Sequence, residues 1–333
     1  MLSLRLAVLV VLALGVAACG GSGTGSGHRA AHARRHAAAA RPPAPQPVKL
    51  TYHELYALPA PLQDPASADL GGGRFVFLGG LDAADTSSAG VIVADLRGPL
   101  RQASLPGAQH DAQAANLGGK VYVFGGGDFS QYDHILSFDP SLASVGTAGT
   151  LPSPASDVAV TGTGGTAYVV GGFDGSNSLD TIVAWRPGAP ARVVAHLPVA
   201  LRYAAVAAAG GKILIVGGST PSGASSAVFS FDPSTRTVSQ IGRLPHPITH
   251  AGAATLGSTV YLVGGRGDLL DSQSRGVWSI NPVTGAVRPA GRLPQPLSDA
   301  AVLTSRDAIV VAGGRSSGAT QAAVGELVPV GAG

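Results

Sequence analysis

Six Gly-Gly pairs, at 79–80, 125–126, 171–172, 217–218, 264–265 and 313–314, recur at intervals of 46, 46, 46, 47 and 49 residues. A period of that length marks an architecture that stacks one supersecondary unit, and it constrains the fold more tightly than any local motif. Each pair closes a short apolar run, read in turn as RFVFL, KVYVF, TAYVV, KILIV, TVYLV and AIVVA. Leu-Pro pairs keep the same rhythm at 58–59, 105–106, 151–152, 197–198, 244–245 and 293–294. Between them lies a third run: VIVADL, HILSFDP, TIVAWRP, AVFSFDP, GVWSINP and AVGELVP. Two independent markers in step over six copies do not arise from composition alone.

Each unit therefore holds four short strands: one after Leu-Pro, one ending in Gly-Gly, a third, and a fourth running into the next Leu-Pro. Six such units predict an all-β chain, a six-bladed β-propeller of four-stranded blades. The inner strands crowd around the axis and need small residues, which DVAVTG, YAAVAA and HAGAAT supply. The sixth unit stops after its third strand at 322–328, while VKLTYHELYALP at 48–59 is a fourth strand without a unit. Donated to the last blade, this N-terminal strand closes the ring and removes two open edges. Composition agrees: 45% hydrophobic residues exclude a disordered chain, and a single Cys excludes an internal disulfide or a Cys-rich zinc site.

The glycine strand ends and the four-strand period resemble kelch repeats over residues 48–330. Blade three matches best, with Gly171-Gly172-Phe173-Asp174-Gly175 followed by Trp185. Elsewhere the tryptophan place is held by Asp95, Phe138, Phe231, Ile280 and Leu327, and the usual tyrosine is largely absent. The resemblance implies the fold, with blades packed by more aliphatic residues.

Residues 1–18 read as a signal peptide: Arg5, then the apolar run Leu6–Leu14, too short to cross a bilayer. The run leads to Val16-Ala17-Ala18-Cys19, which resembles a bacterial lipoprotein signal in which the cysteine is lipidated and becomes the mature N-terminus. Residues 19–47 then form a tether, Gly/Ser-rich, basic and finally Pro-rich, spanning on the order of 30 Å as a coil. The expected location is the bacterial cell envelope, membrane-anchored through Cys19 on the extracytoplasmic side. The formal charge of +3 suggests a nucleic-acid binder only until it is mapped. Arg5, Arg29, Arg34, Arg35 and Arg41 precede residue 48 and every acidic residue follows it, so residues 48–333 carry 17 basic against 19 acidic residues, a net −2. The basic pI belongs to leader and tether, and no nucleic-acid partner is expected.

Loops that follow Gly-Gly share one face of the disc with the starts of the inner strands, and longer loops on a fixed scaffold usually carry function. The fifth residue after each Leu-Pro is Asp64, Asp111, Asp157, Tyr203, His250 or Asp299, preceded by Gln63, His110, Ser156, Arg202, Thr249 or Ser298. Six-fold symmetry places these positions around one mouth of the channel. Carboxylates there suit a hard cation, a polyhydroxy ligand or a cationic one, while a plainer use of Asp is to hydrogen-bond backbone at the turn. Arg202, Tyr203 and His250 break the aspartate pattern and are the stronger ligand-binding candidates. Loop-face candidates are Asp128, Phe129, Tyr132, His134, Phe173, Asp174, Arg266 and Arg315. Phe129, Tyr132, Phe173 and Tyr203 come from consecutive blades, so their geometry allows a shared aromatic patch suited to a sugar, while the plainer use of such rings is to pack the base of the loops.

Enzyme templates find little support. The domain has no Cys for a thiol nucleophile or for the Tyr–Cys cofactor of kelch-type copper oxidases such as galactose oxidase. It has no G-x-S-x-G, H-E-x-x-H or P-loop. Its only glutamates, Glu54 and Glu326, fall in the closing blade, which weighs against an activity like that of six-bladed sialate mutarotases unless Asp replaces Glu. His110–Asp111 and Asp133–His134 are adjacent in sequence, and neighbours on a strand face opposite ways. The expectation is a monomeric, non-catalytic binding scaffold for an envelope protein or glycan, with no cofactor and no metal; the alternative is a carbohydrate-active enzyme, mutarotase- or epimerase-like or hydrolytic, with acidic residues at the channel mouth.

Overall fold

The computed structural model describes residues 47–331, so the signal peptide, Cys19 and all but the last residue of the tether lie outside the described residues. Six four-stranded antiparallel sheets follow one another in chain order, and no helix occurs among the described residues. Blade one is Ala66–Gly71, Arg74–Leu78, Ser88–Asp95 and Gly98–Gln109, and blade two is Gln113–Leu117, Lys120–Phe124, His134–Asp139 and Ser144–Thr150. Blade three runs from Ala159–Thr163 through Thr166–Val170 and Thr181–Trp185 to Arg192–His196. Blade four comprises Ala205–Ala209, Lys212–Val216, Ala227–Asp232 and Thr237–Arg243. Thr249–Leu256, Thr259–Arg266, Gly276–Ile280 and Val287–Arg292 make blade five. Each inner strand packs against that of the next blade, and the sixth against the first, so the six blades form a closed propeller.

Blade six takes Ala301–Ser305, Ala308–Ala312 and Ala323–Pro329 from the end of the chain and Leu50–Ala57 from its beginning. The two ends pair antiparallel, Leu50 with Pro329 and Ala57 with Ala323, with a bulge between Glu54 and Tyr56. Closure by the N-terminal strand thus stands as expected. It removes the unpaired edges that an incomplete blade would present.

Blades cohere through six apolar clusters, and every cluster draws on two adjacent blades. The tryptophan place explains how. Trp185 is buried and meets Tyr122 and Phe124 of blade two edge-on, with ring centroids 4.8 and 5.5 Å apart. Phe138, Phe231, Ile280 and Leu327 are fully buried at the same place in other blades. Asp95 is too polar for that role, and the Tyr56 hydroxyl from the closing strand reaches its backbone carbonyl at 2.9 Å instead. No blade buries its own surface alone, which is why the period must repeat.

The Gly-Gly pairs hold the crossovers between blades. At Gly217, φ is +64°, and a Cβ would run into the Ile248 carbonyl; Gly218 donates its N–H to that carbonyl at 2.9 Å. A side chain is excluded there on both conformational and steric grounds. Ile248 lies two residues before His250, so the glycine pair of one blade fixes the chain that enters the next.

Candidate functional site

Asp64, Asp111, Asp157, Tyr203, His250 and Asp299 all adopt left-handed backbone angles, with φ between 50° and 59°. Two further sets of hydrogen bonds impose this. The residue before each ring position bridges to the residue just after its own blade's Gly-Gly, as Arg202 does with Ser219 and Ser298 with Arg315. The ring residue's N–H then donates to the carbonyl of the preceding ring residue: Asp157 to Asp111 at 3.0 Å, Tyr203 to Asp157 at 3.0 Å, His250 to Tyr203 at 3.3 Å, Asp299 to His250 at 3.0 Å and Asp64 to Asp299 at 2.9 Å. This circle of backbone bonds runs around the axis and is open only between Asp64 and Asp111. Asp and His enter the left-handed region more readily than most residues, whereas Tyr rarely does. Strain of about 1–3 kcal/mol therefore falls on Tyr203.

Together the six residues line one end of the channel, around a cavity of about 120 Å³ whose deeper wall is apolar, with Ala114, Val160, Val206, Ala253 and Val302. The carboxyls turn toward other side chains. Asp157 is buried and binds the Arg202 guanidinium. Asp111 accepts the Tyr203 hydroxyl at 3.1 Å and lies beside the Asp157 carboxyl. Asp299 accepts the Ser298 hydroxyl and lies within hydrogen-bonding reach of Asp64. The backbone-capping role open to aspartate at a turn is taken by other residues, as where Asp95, Asp139, Asp232 and Asn281 on the opposite face each accept N–H groups two residues on.

The electrostatics follow from that crowding. Burial, then the Asp299 and Asp111 charges, push Asp64 well above the usual carboxylate range. Burial and Asp157 do the same to Asp111. Asp299 is raised by burial, with Ser298, Arg266 and Arg315 opposing. The Tyr203 phenol is raised by burial and Asp111. His250 is pushed down to about 2, first by burial and then by Arg266 and Arg202. Its hydrogen bonds agree: Arg266 Nη2 donates to Nε2 at 3.1 Å, so the ring proton sits on Nδ1 and faces Thr249 Oγ1 at 3.0 Å. The imidazole stacks on the Tyr203 ring, with centroids 3.8 Å apart and planes 23° apart.

Arg202 stands beside the cavity, its guanidinium 4.1 Å from the Phe173 ring centroid. Arg266, assigned to the loop face by sequence, turns inward to His250. Arg315 points away to the Asp85 carboxylate at 2.9 Å. Asp174 caps its own turn through the N–H groups of Ser176 and Asn177. Asp128 bonds backbone within its loop. A shared aromatic patch does not form: Phe129 is fully exposed, Tyr132 lies 4.8 Å from His134, Phe173 lies under Arg202, and Tyr203 is taken by His250. Apart from Phe129, each ring is claimed by a polar neighbour on its own or the adjoining blade. His110 and Asp111 correct the strand argument in the other direction. They lie in a turn, where the left-handed Asp111 brings its carboxylate to 3.6 Å from His110 Nε2. Among the described residues, no group of three or more His, Cys, Asp or Glu is arranged to hold a metal ion.

Sequence comparison finds the Kelch motif at residues 200–245, which cover blade four and the turn that opens it. A solved structure described as "Structure of YjhT" superposes with a TM-score of 0.69 at 17% identity, over 81% of this chain and 96% of that one. At that identity the likeness shows the fold alone. No curated protein matches the sequence. The motif match and the six-bladed ring together support a kelch-repeat β-propeller.

Proposed function

We propose that this protein is a lipid-anchored, extracytoplasmic, monomeric binding propeller whose ligand, a glycan end-group or another small polar molecule, sits in the cavity at the channel mouth. The observation that carries this reading is Tyr203. Four aspartates at equivalent positions satisfy the left-handed turn at little cost, yet blade four places a bulky residue there. Its side chain is spent on the cavity, bonding Asp111 and stacking on His250, rather than on a blade core. Strain kept at one position of a repeat is a mark of function. The loop face offers no comparable surface for a protein, since its aromatic residues are dispersed. The first described residues lie at the face opposite the mouth, where Leu50 pairs with Pro329.

Ligand-observed NMR on the full chain tests this with glucose, galactose, N-acetylglucosamine, ethane-1,2-diol and 2-aminoethanol as probes. At least one is expected to bind the parent and to lose binding in Tyr203→Asn, which keeps the left-handed turn. Equal binding to both proteins, or to neither, would sink the proposal. A second reading, acid–base chemistry on a sugar, is favoured by Asp111 and Asp64, because a carboxyl that burial and neighbouring acids hold well above the usual range can donate a proton. Faster anomer exchange in the probe sugars, lost in Asp111→Asn, would move the reading to catalysis.

A further inference from the structure

Within the cavity just proposed as the binding site, one acceptor lacks a fixed donor. The Asp299 side chain is 7% exposed; its Oδ2 takes the Ser298 hydroxyl, and no N–H or hydroxyl reaches its Oδ1. His250 Nε2, 3.9 Å away, is already an acceptor for Arg266 and has no proton to give. The neighbouring acid, Asp64, can donate only while it holds a proton. A buried carboxylate oxygen without a donor is a place for a ligand's donor.

Charge counting says what kind of donor. The cavity gathers four carboxyls, Asp64, Asp111, Asp157 and Asp299, and two guanidiniums, Arg202 and Arg266. The remaining titratable neighbours are Tyr203, His250 and His110, all held neutral; Arg315 is bound to Asp85 outside. With every carboxyl ionised, the set carries two uncompensated negative charges. Two protons meet them, on Asp111 and Asp64, which burial and the neighbouring carboxyls push well above the usual carboxylate range. Asp111 and Asp157 are tied down by the Tyr203 hydroxyl and Arg202, whereas Asp64 and Asp299 have only Ser298.

We propose that the ligand carries a primary ammonium group, which binds Asp299 and displaces the proton from Asp64. The ammonium supplies the missing donor, and a second N–H faces the newly ionised Asp64. A short alkyl or hydroxyalkyl body lies against Ala114, Val160 and Val302 of the deeper wall. Charge is conserved, because one cation enters as one proton leaves to solvent. A neutral hydroxyl would satisfy Asp299 Oδ1 but would release nothing.

The proposal rests on the cavity being the binding site, and the experiment separates the two. Calorimetry on the full chain near neutral pH compares 2-aminoethanol with ethane-1,2-diol, in two buffers free of primary amines that differ in ionisation enthalpy. The expected result is an affinity about tenfold or more in favour of the amine, as a charge-assisted bond replaces a neutral one, with about one proton released. Asp299→Asn, isosteric and suited to a left-handed turn, should remove that preference and the proton release with it. Equal affinities, or amine binding without proton release, would overturn the ammonium assignment while leaving the cavity as a binding site. Failure of both probes and of the sugars would remove the binding site itself.

Discussion

Acid should destabilise this propeller through His250 by an amount that the structure fixes. The imidazole is 9% exposed, accepts from Arg266 at Nε2 and cannot be protonated there without expelling a guanidinium. Its folded affinity for a proton is depressed to about 2, against about 6.5 in an unfolded chain. Between those values the unfolded state binds more protons, so stability is fully present above about pH 6.5 and is lost as pH falls. At about 1.4 kcal/mol per pH unit, lowering the pH from about 8 to about 5 costs about 2 kcal/mol. That loss depends only on the unfolded value, because the folded ring is still neutral at pH 5. Asp64, Asp111 and Asp299, raised in the fold, slope the other way: their contribution is present below about pH 4 and fades as pH rises. Comparing parent with His250→Asn cancels these terms and those of the other histidines. Urea titrations at both pH values should show the parent losing about 2 kcal/mol more than the variant between them. An identical pH dependence in the two proteins would mean that His250 titrates freely, and the Arg266-to-imidazole hydrogen bond would be wrong.

Two further outcomes test the scaffold and its address. Gly217→Ala should cost about 3 kcal/mol or more in urea unfolding, adding displacement of the Ile248 carbonyl to left-handed strain, whereas Gly210→Ala, at φ +58° with open space around it, should cost about 1–2 kcal/mol; equal costs would deny that the Gly-Gly pair clips neighbouring blades. For the proposed anchor, the full chain expressed in bacteria should partition with membranes and carry lipid mass, and Cys19→Ser should shift it to the soluble fraction without that mass; a parent already soluble and unlipidated would refute the lipoprotein reading.

What the sequence discloses about this fold tracks where backbone chemistry dictates residue type. Gly217 cannot be anything else, because both its φ and the Ile248 carbonyl forbid a Cβ, and the same demand at six blades makes the period plain to read. Trp185 and its apolar counterparts were legible for a weaker reason: any large apolar residue fills an inter-blade gap, so the place is visible even where the residue varies. The site divides along the same line. Its six positions could be found by counting from Leu-Pro, but their left-handed backbone could not, since Asp is as common in turns that need no positive φ. Contacts across blades were hidden altogether. Tyr203 meets Asp111 over 92 residues of chain, and Arg266 reads as a loop cation until its guanidinium is seen on His250.

That division also indicates where evolution of such a ring is free to act. A blade's core and its glycine clip are shared with both neighbours, so changing either disturbs two interfaces. The ring position is different: its backbone is held by the Gly-Gly clip, the bridge and the circular N–H bonds, none of which uses its side chain. Any residue that can bear a φ near 55° can be placed there, and its side chain then faces a cavity that five other blades also reach. Asp at four positions keeps the turn relaxed; Tyr203 and His250 stack on each other at the remaining two. The scaffold thus fixes six anchor points and leaves their chemistry open, so ligand preference in this protein should follow the side chains at those points, with the ring unchanged beneath them.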